Sequence, residues 1–278
     1  MSGQRLGEVR QALARRALDR REQFGATMAW FCMERLVCRM SGHGHRDKFL
    51  LGGDLLLFAI CGGEAPYEWE AELRCRPEEF QAVDGAMAAV CEVTLDDGLV
   101  FELTAKDEPA ADLVALSIVA RLGPNPCPLT ILVRPEVPFA APPTDLPFAS
   151  ALGSLSASRP MGRPACDLMA ELVVDMIDQG VSCRPKVLSD AFRLLRQTGI
   201  DFGRMPQAIS ARLAAAGWSV PEAPPPALDR LFASDASVLK GWETYLNRSR
   251  TVTVDLAVVT DALRGSIWPW IRESAAKD

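Results

Sequence analysis

Near the amino terminus the apolar positions recur every three or four residues. Leu6, Val9, Leu13 and Ala17 form one stripe between Arg5 and Phe24, with arginines elsewhere on the surface, which predicts an amphipathic helix. A second helix is predicted over 26–40, ended by the loop-like run Ser41-Gly42-His43-Gly44-His45. Short β-prone segments follow at Glu70–Cys75, Ala89–Leu95, Leu99–Ala105, Leu113–Leu122 and Leu129–Arg134, with Asp96-Asp97-Gly98 as a hairpin turn. Together they predict one sheet. The stretch Pro135–Pro164 is rich in Pro, Ala and Ser and has no steady period, so it is expected to run over the surface as a long connection. It divides the chain into an α/β domain at 1–160 and a helical domain at 161–278.

Past that boundary the period is helical. Leu168, Met169, Leu172, Val173, Met176 and Ile177 make an apolar stripe, while Asp167, Glu171, Asp175 and Asp178 fall on a different face. Further helices are predicted at about 185–198, 205–216, 226–247 and 254–272, separated by Gly199, Gly217 and the run Pro221–Pro226.

Composition changes this picture little. A chain of 278 residues that is 49% hydrophobic can bury one large core or two modest ones. No run approaches the roughly 20 apolar residues that cross a bilayer, and nothing near Met1 reads as a signal peptide, so a cytoplasmic protein without a membrane segment is expected. The eight cysteines lack Cys-x-x-Cys spacing and read as reduced core residues; the two histidines, His43 and His45, read as a surface loop.

Charge is uneven. Residues 1–50 hold ten Lys/Arg against five Asp/Glu, and the remainder twenty against thirty-one, so a net of +5 precedes a net of −11. A polyanion such as RNA would prefer Arg15, Arg16, Arg20 and Arg21 of the first helix; the plainer reading is a solvated helix face.

The segment Met33-Glu34-Arg35-Leu36-Val37-Cys38-Arg39-Met40-Ser41, followed by Asp47-Lys48-Phe49-Leu50-Leu51-Gly52-Gly53-Asp54, resembles the opening of the AbiEii/AbiGii-type nucleotidyltransferase toxins. Ala120-Arg121-Leu122-Gly123, Cys183-Arg184-Pro185-Lys186 and Ser266-Ile267-Trp268-Pro269 are similar to later blocks of that family in order and spacing. The resemblance implies a nucleotidyltransferase-like α/β fold, a mixed sheet with packed helices followed by a C-terminal helical region. It also implies a small-residue turn that holds nucleotide phosphates. Two carboxylates one residue apart on the next strand would bind Mg²⁺, and a third acid on a neighbouring strand would complete the site.

Against that pattern this chain departs at most charged positions. The family's lysine falls on Gly52, and its small residues on Gly53 and Asp54. The paired aspartates fall on Glu70 and Glu72, which also read as acids on alternate positions of an exposed strand face. The third carboxylate falls on Leu132, which binds no metal. Glu171, Arg184, Lys186 and Asp190 match; Leu172, Val187 and Ala215 stand where the family carries charge, so an apolar wall to the former cleft is expected.

The resemblance therefore implies a catalytically degenerate protein that acts by binding, without a cofactor, in a toxin–antitoxin or phage-defence setting. Its expected partner is a protein, either an antitoxin or an active relative, and vestigial nucleotide contacts fall on Gly53, Arg184 and Lys186. The alternative is an active Mg²⁺-dependent nucleotidyltransferase modifying an RNA such as tRNA, with Glu70 and Glu72 on the metal and an acid such as Glu136 recruited.

Overall fold

The computed structural model describes residues 3–42, 44–62, 71–136, 142–249 and 254–275. The chain forms two compact units. The first comprises Met1–Ala59, Trp69–Glu136 and Thr144–Gly162; the second comprises Ile60–Glu68, Val137–Pro143 and Arg163–Asp278.

The first unit opens with α1 (Gly3–Arg20), whose Val9, Leu13 and Ala17 are buried, and α2 (Phe24–Met40), which is buried along most of its length. After them come β1 (Leu50–Gly52), α3 (Gly53–Cys61), β2 (Ala71–Cys75), α4 (Val83–Glu92), β3 (Leu99–Ala110), β4 (Leu113–Leu122), β5 (Asn125–Pro135), β6 (Thr144–Asp145) and β7 (Met161–Gly162). Among the described residues these strands make one mixed sheet in the order β3-β4-β5-β2-β1-β7-β6. The neighbours β5 and β2 run parallel, as do β1 and β7; the other pairs are antiparallel.

Strict alternation explains β4. Val114, Leu116, Ile118, Ala120 and Leu122 are buried, whereas Leu113, Ala115, Ser117 and Val119 are half-buried and Arg121 is exposed. Period-2 patterning thus gives the meander β3–β4–β5 one covered face and one open face.

Two expectations fail here. The segment Ala89–Leu95 is not a strand, because α4 runs to Glu92. Its buried residues Val83, Met87, Val90 and Cys91 follow helical spacing, and the run Ala86-Met87-Ala88-Ala89 favours a helix. Asp96-Asp97-Gly98 consequently turns the chain from α4 into β3 rather than joining two strands, with Gly98 supplying φ +80.

The stretch expected to pass over the surface instead contributes core. Among its described residues, β6 and β7 extend the sheet, and Phe148 is fully buried beside Trp30 and Phe58, with ring centroids 6.0 and 5.4 Å away. A proline-rich composition hides such short strands because they have no room to show a period.

The second unit is helical: α5 (Ala165–Gln179), α6 (Pro185–Leu195), α7 (Met205–Ala215), α8 (Arg230–Ser234), α9 (Ala236–Ser249) and α10 (Leu256–Ala275). α5 packs on α6 and α7, and α10 on α6, α7 and α8. The single helix expected over 226–247 is broken by two acidic caps. Asp229 Oδ1 accepts from the Leu231 N–H at 2.8 Å, and Asp235 Oδ1 accepts from those of Ser237 and Val238 at 2.8 and 3.1 Å, so each begins a new helix. Among the described residues no helix is long and apolar enough to cross a membrane.

All eight cysteines are free. Burial pushes the thiols of Cys61 and Cys91 up to about 11, and those of Cys75 and Cys183 up to about 12, which leaves them protonated and unreactive at neutral pH.

Candidate functional site

Three of the positions singled out from the sequence meet on adjacent strands. Antiparallel pairing sets Gly52 of β1 against Glu72 of β2, and parallel pairing sets Glu72 against Leu132 of β5. Gly53 follows at once as the first residue of α3, with φ +47. A Cβ placed on Gly53 would lie 3.2 Å from Glu72 Cβ, so the turn needs glycine for its backbone angle and for close approach of the Glu72 side chain. Asp54 is buried in the first turn of α3, where a negative charge is favoured by the helix dipole.

The chemistry at this turn is not that of a carboxylate pair among the described residues. Glu72 Oε1 lies 2.6 Å from Arg74 Nη2, two residues along the same strand face, with side-chain exposures of 20% and 8%. Glu72 is thus a largely buried, neutralised acid rather than one on an exposed strand face. Leu132, its strand partner, is half-buried and offers no ligand. Glu70 lies outside the described residues. Glu136 is no substitute at this position: its N–H bonds the Cys75 carbonyl at 2.8 Å, and since Cys75 pairs with Pro135 it lies four residues past the Glu72–Leu132 level, about 13 Å along the strand. Among the described residues no three His, Cys, Asp or Glu side chains gather as a metal site, and Glu72, Arg74 and Leu132 do not fit Mg²⁺.

Arg184 and Lys186 belong to the helical unit. Arg184 caps the start of α6 and is exposed, its backbone N–H donating to Gln179 Oε1 at 2.9 Å. Lys186 Nζ donates to Asp190 Oδ2 at 2.5 Å, so its charge is engaged within its own helix. Glu171 accepts from the fully buried Arg163 at 2.7 Å. The expected apolar wall does not form as one surface. Leu172 and Val187 are buried in the helical core, where α5 packs on α6, whereas Ala215 is exposed.

Nor do the four arginines of the first helix act alike. Arg15 and Arg21 are exposed, Arg16 Nη1 donates to the Ala151 carbonyl at 2.8 Å, and Arg20 approaches Glu22 at 4.0 Å. Arg16 therefore ties α1 to the 151 loop.

A larger cluster escaped the sequence reading. Glu34, Arg35, Arg39 and Asp97 are all at most 2% exposed, yet all have ionisable side chains. Arg39 grips Asp97 with two bonds of 2.7 and 2.9 Å, and its remaining donors reach the Val93, Arg35 and Leu99 carbonyls. Arg35 donates to Asp97 at 2.8 Å, to Glu34 at 3.1 Å and to the Ser156 carbonyl at 3.1 Å. Glu34 in turn accepts from Ser150 Oγ and the Ala151 N–H.

Electrostatics divides the two acids. Burial pushes the Asp97 carboxyl up, but hydrogen bonds and charge from Arg39 and Arg35 outweigh it and hold the group below its ordinary value. At Glu34 burial wins over Arg35, Ala151 and Ser150, and the carboxyl is raised. The only signal in the sequence was charge at three positions of an otherwise apolar helix, which marks a buried pair awaiting its partner.

No family model matches the sequence, and no curated protein does. Solved structures do. MenT4, a nucleotidyltransferase toxin from Mycobacterium tuberculosis H37Rv, superimposes with a TM-score of 0.59 at 13% identity, covering 95% of this chain and 98% of that one. The chain has a nucleotidyltransferase-toxin fold. JHP933 from Helicobacter pylori gives 0.52 at 9% identity over 91% and 94% of the two chains. At such identities the likeness is one of fold, and it bears out the α/β mixed sheet with a C-terminal helical region.

Proposed function

We propose that this chain is a catalytically degenerate nucleotidyltransferase-fold protein that works by binding a protein partner, an antitoxin or an active relative, within a cytoplasmic toxin–antitoxin or phage-defence system. One observation carries the reading: the strand position in register with Glu72 is Leu132, and Glu72 itself is neutralised by Arg74 at 2.6 Å. Nucleotide transfer brings a hydroxyl to a polyphosphate, and the mutual repulsion has to be offset by metal ions or cations aimed at the phosphates. A leucine and a closed ion pair supply neither. The toxin character of MenT4 supports the setting. RNA binding through Arg15, Arg16, Arg20 and Arg21 has weaker support, because Arg16 is committed to Ala151.

The test is transfer of radiolabelled nucleotides to tRNA with Mg²⁺ or Mn²⁺. The expected result is no product above background. Product that disappears on Glu70→Gln together with Glu72→Gln would overturn the reading in favour of an active, metal-dependent enzyme acting on RNA.

A further inference from the structure

Two of the buried thiols meet between the helix layer and the sheet of the first unit. Cys32 lies on α2 and is fully buried, and Cys127 lies near the start of β5 and is 7% exposed. α2 packs on β5, whose alternation turns Cys127, Leu129, Ile131 and Val133 to the covered face of the sheet. Across that contact the Cys32 and Cys127 side chains hydrogen-bond to each other. Sulfurs that touch in this way are one short approach from the about 2.05 Å of a disulfide.

The contact makes the two sulfurs unequal. Burial raises the thiols of Cys38 and Cys166, as it does those of Cys61, Cys75, Cys91 and Cys183. Cys127 goes the other way, because the hydrogen bond from Cys32 favours its anion and outweighs burial. Cys32 is raised by that same bond, by burial and by the charges of Cys127 and Asp97, with Arg39 opposing them, so it keeps the proton. A thiolate is the nucleophile of sulfur chemistry, and here a second sulfur already lies beside it. Access is narrow but present. Exposed Pro126 and Pro128 flank Cys127, and β2 pairs with β5 only from Ile131 to Pro135, so among the described residues no second strand lies beside β5 at Cys127. Such an opening favours a small oxidant over the active site of another protein.

We propose that Cys32 and Cys127 are an oxidation site, a dithiol that hydrogen peroxide converts into a reversible disulfide stapling α2 to β5. Cys127 gives up its proton and its sulfur attacks one peroxide oxygen; the O–O bond breaks and hydroxide leaves, so Cys127 becomes a sulfenic acid. The Cys32 sulfur then attacks the Cys127 sulfur, the S–O bond breaks, and the departing hydroxide takes the Cys32 proton as water. In sum two thiols lose two protons and two electrons, and one peroxide becomes two waters. Cys32, Arg35 and Arg39 share a face of α2 at spacings of three and four, so the staple fixes the helix that also holds Asp97. Joining residues 32 and 127 restricts the unfolded chain, which makes the oxidised protein harder to unfold. None of this needs a nucleotide or a partner, so it stands apart from the proposed function.

The experiment exposes the full chain, purified in its reduced form, to excess hydrogen peroxide, then alkylates the remaining thiols and maps the peptides by mass spectrometry. The expected result is a bridged peptide pair containing Cys32 and Cys127 within one chain, released by dithiothreitol. The unfolding midpoint should rise by about 5 °C or more on oxidation and return on reduction. In Cys32→Ala, dimedone should trap a sulfenic acid on Cys127, and in Cys127→Ala it should leave Cys32 unlabelled. If either variant does not fold, the map of the parent protein still decides. Full alkylation of Cys32 and Cys127 after peroxide, or a bridge from either to a different cysteine or to a second chain, would overturn the proposal. So would a midpoint that stays or falls on oxidation, or a dimedone adduct on Cys32 and none on Cys127.

Discussion

The sheet-bearing unit contains two groups of charge that differ in depth and in completeness. Beneath α2, Asp97 is held by both Arg35 and Arg39; Arg39 spends its other donors on backbone carbonyls, and Arg35 donates to Glu34 and to the Ser156 carbonyl. At the β1–α3 turn, Glu72 and Arg74 form a pair on a half-buried strand face, with Leu132 next to them. The first group joins α2, the entry to β3 and the 150–156 loop, so its charges are structural. The second lies at the β1–α3 turn, on which the proposed function rests. A buried charge persists at low energy only when every donor and acceptor is met, and the Glu72–Arg74 pair, with side chains 20% and 8% exposed, lies less deep than Asp97. Charge in a sequence therefore says nothing about catalysis until its depth is known.

The strongest way to break this contrast is Asp97→Asn. Both guanidiniums would remain buried with their anion gone, and the expected loss is about 3–5 kcal/mol in urea unfolding. A loss no larger than that of Glu72→Gln would show that the network is dispensable and that the two groups do not differ.

Gly53→Ala probes the turn that frames the second group. With φ +47 and Glu72 Cβ only 3.2 Å from the new methyl, a loss of roughly 1–2 kcal/mol is expected from the left-handed backbone alone, with more if Glu72 cannot move. An unchanged melting temperature would mean that the turn is not held in this shape.

Leu132→Asp tests whether the second group can regain a metal. The new carboxylate would face Glu72 across the ladder, a like-charge pair worth about 1 kcal/mol of destabilisation on a sheet face. The melting temperature should fall modestly, and Mg²⁺ with ATP should not restore it. Recovery on adding both would show a usable site.

The smallest effect separates the two buried acids by pH. Glu34 is raised above its ordinary value, so its contribution is present in full below the unfolded pKa of 4.5 and is lost as pH rises through the folded value. Asp97 is lowered, so its contribution is present above 3.8 and lost as pH falls through its folded value. Relative to the parent, Glu34→Gln should gain stability as pH increases above 4.5. A difference between the two proteins that is flat from pH 4 to 8 would remove Glu34 as an ionising buried group.

Much of the fold was legible because patterning is local. The alternation from Leu113 to Leu122 matches β4 residue for residue, and the stripe Leu168 to Met176 is the buried side of α5. Failures came where the local pattern was ambiguous or absent. Ala89–Leu95 has apolar residues at positions compatible with both periods, and the two-residue strands β6 and β7 have no period at all. For the site, the resemblance aligned Gly53, Glu72 and Leu132, and strand register brings those three together. It gave no hint of Arg74, because an ion pair two residues along a strand has no signature beyond charge.

By itself the sequence determined which residues are helix or strand formers, that eight cysteines stand without metal-binding spacing, and that position 132 holds a leucine. These follow from side-chain chemistry and periods of 3.6 and 2, which the chain carries in every short window. Tertiary structure alone decided that Asp97 serves two arginines 62 and 58 residues upstream and that Arg16 is a tether to Ala151. Those outcomes depend on which distant segments meet and on how much water remains between them, and neither quantity is written in any local stretch of residues.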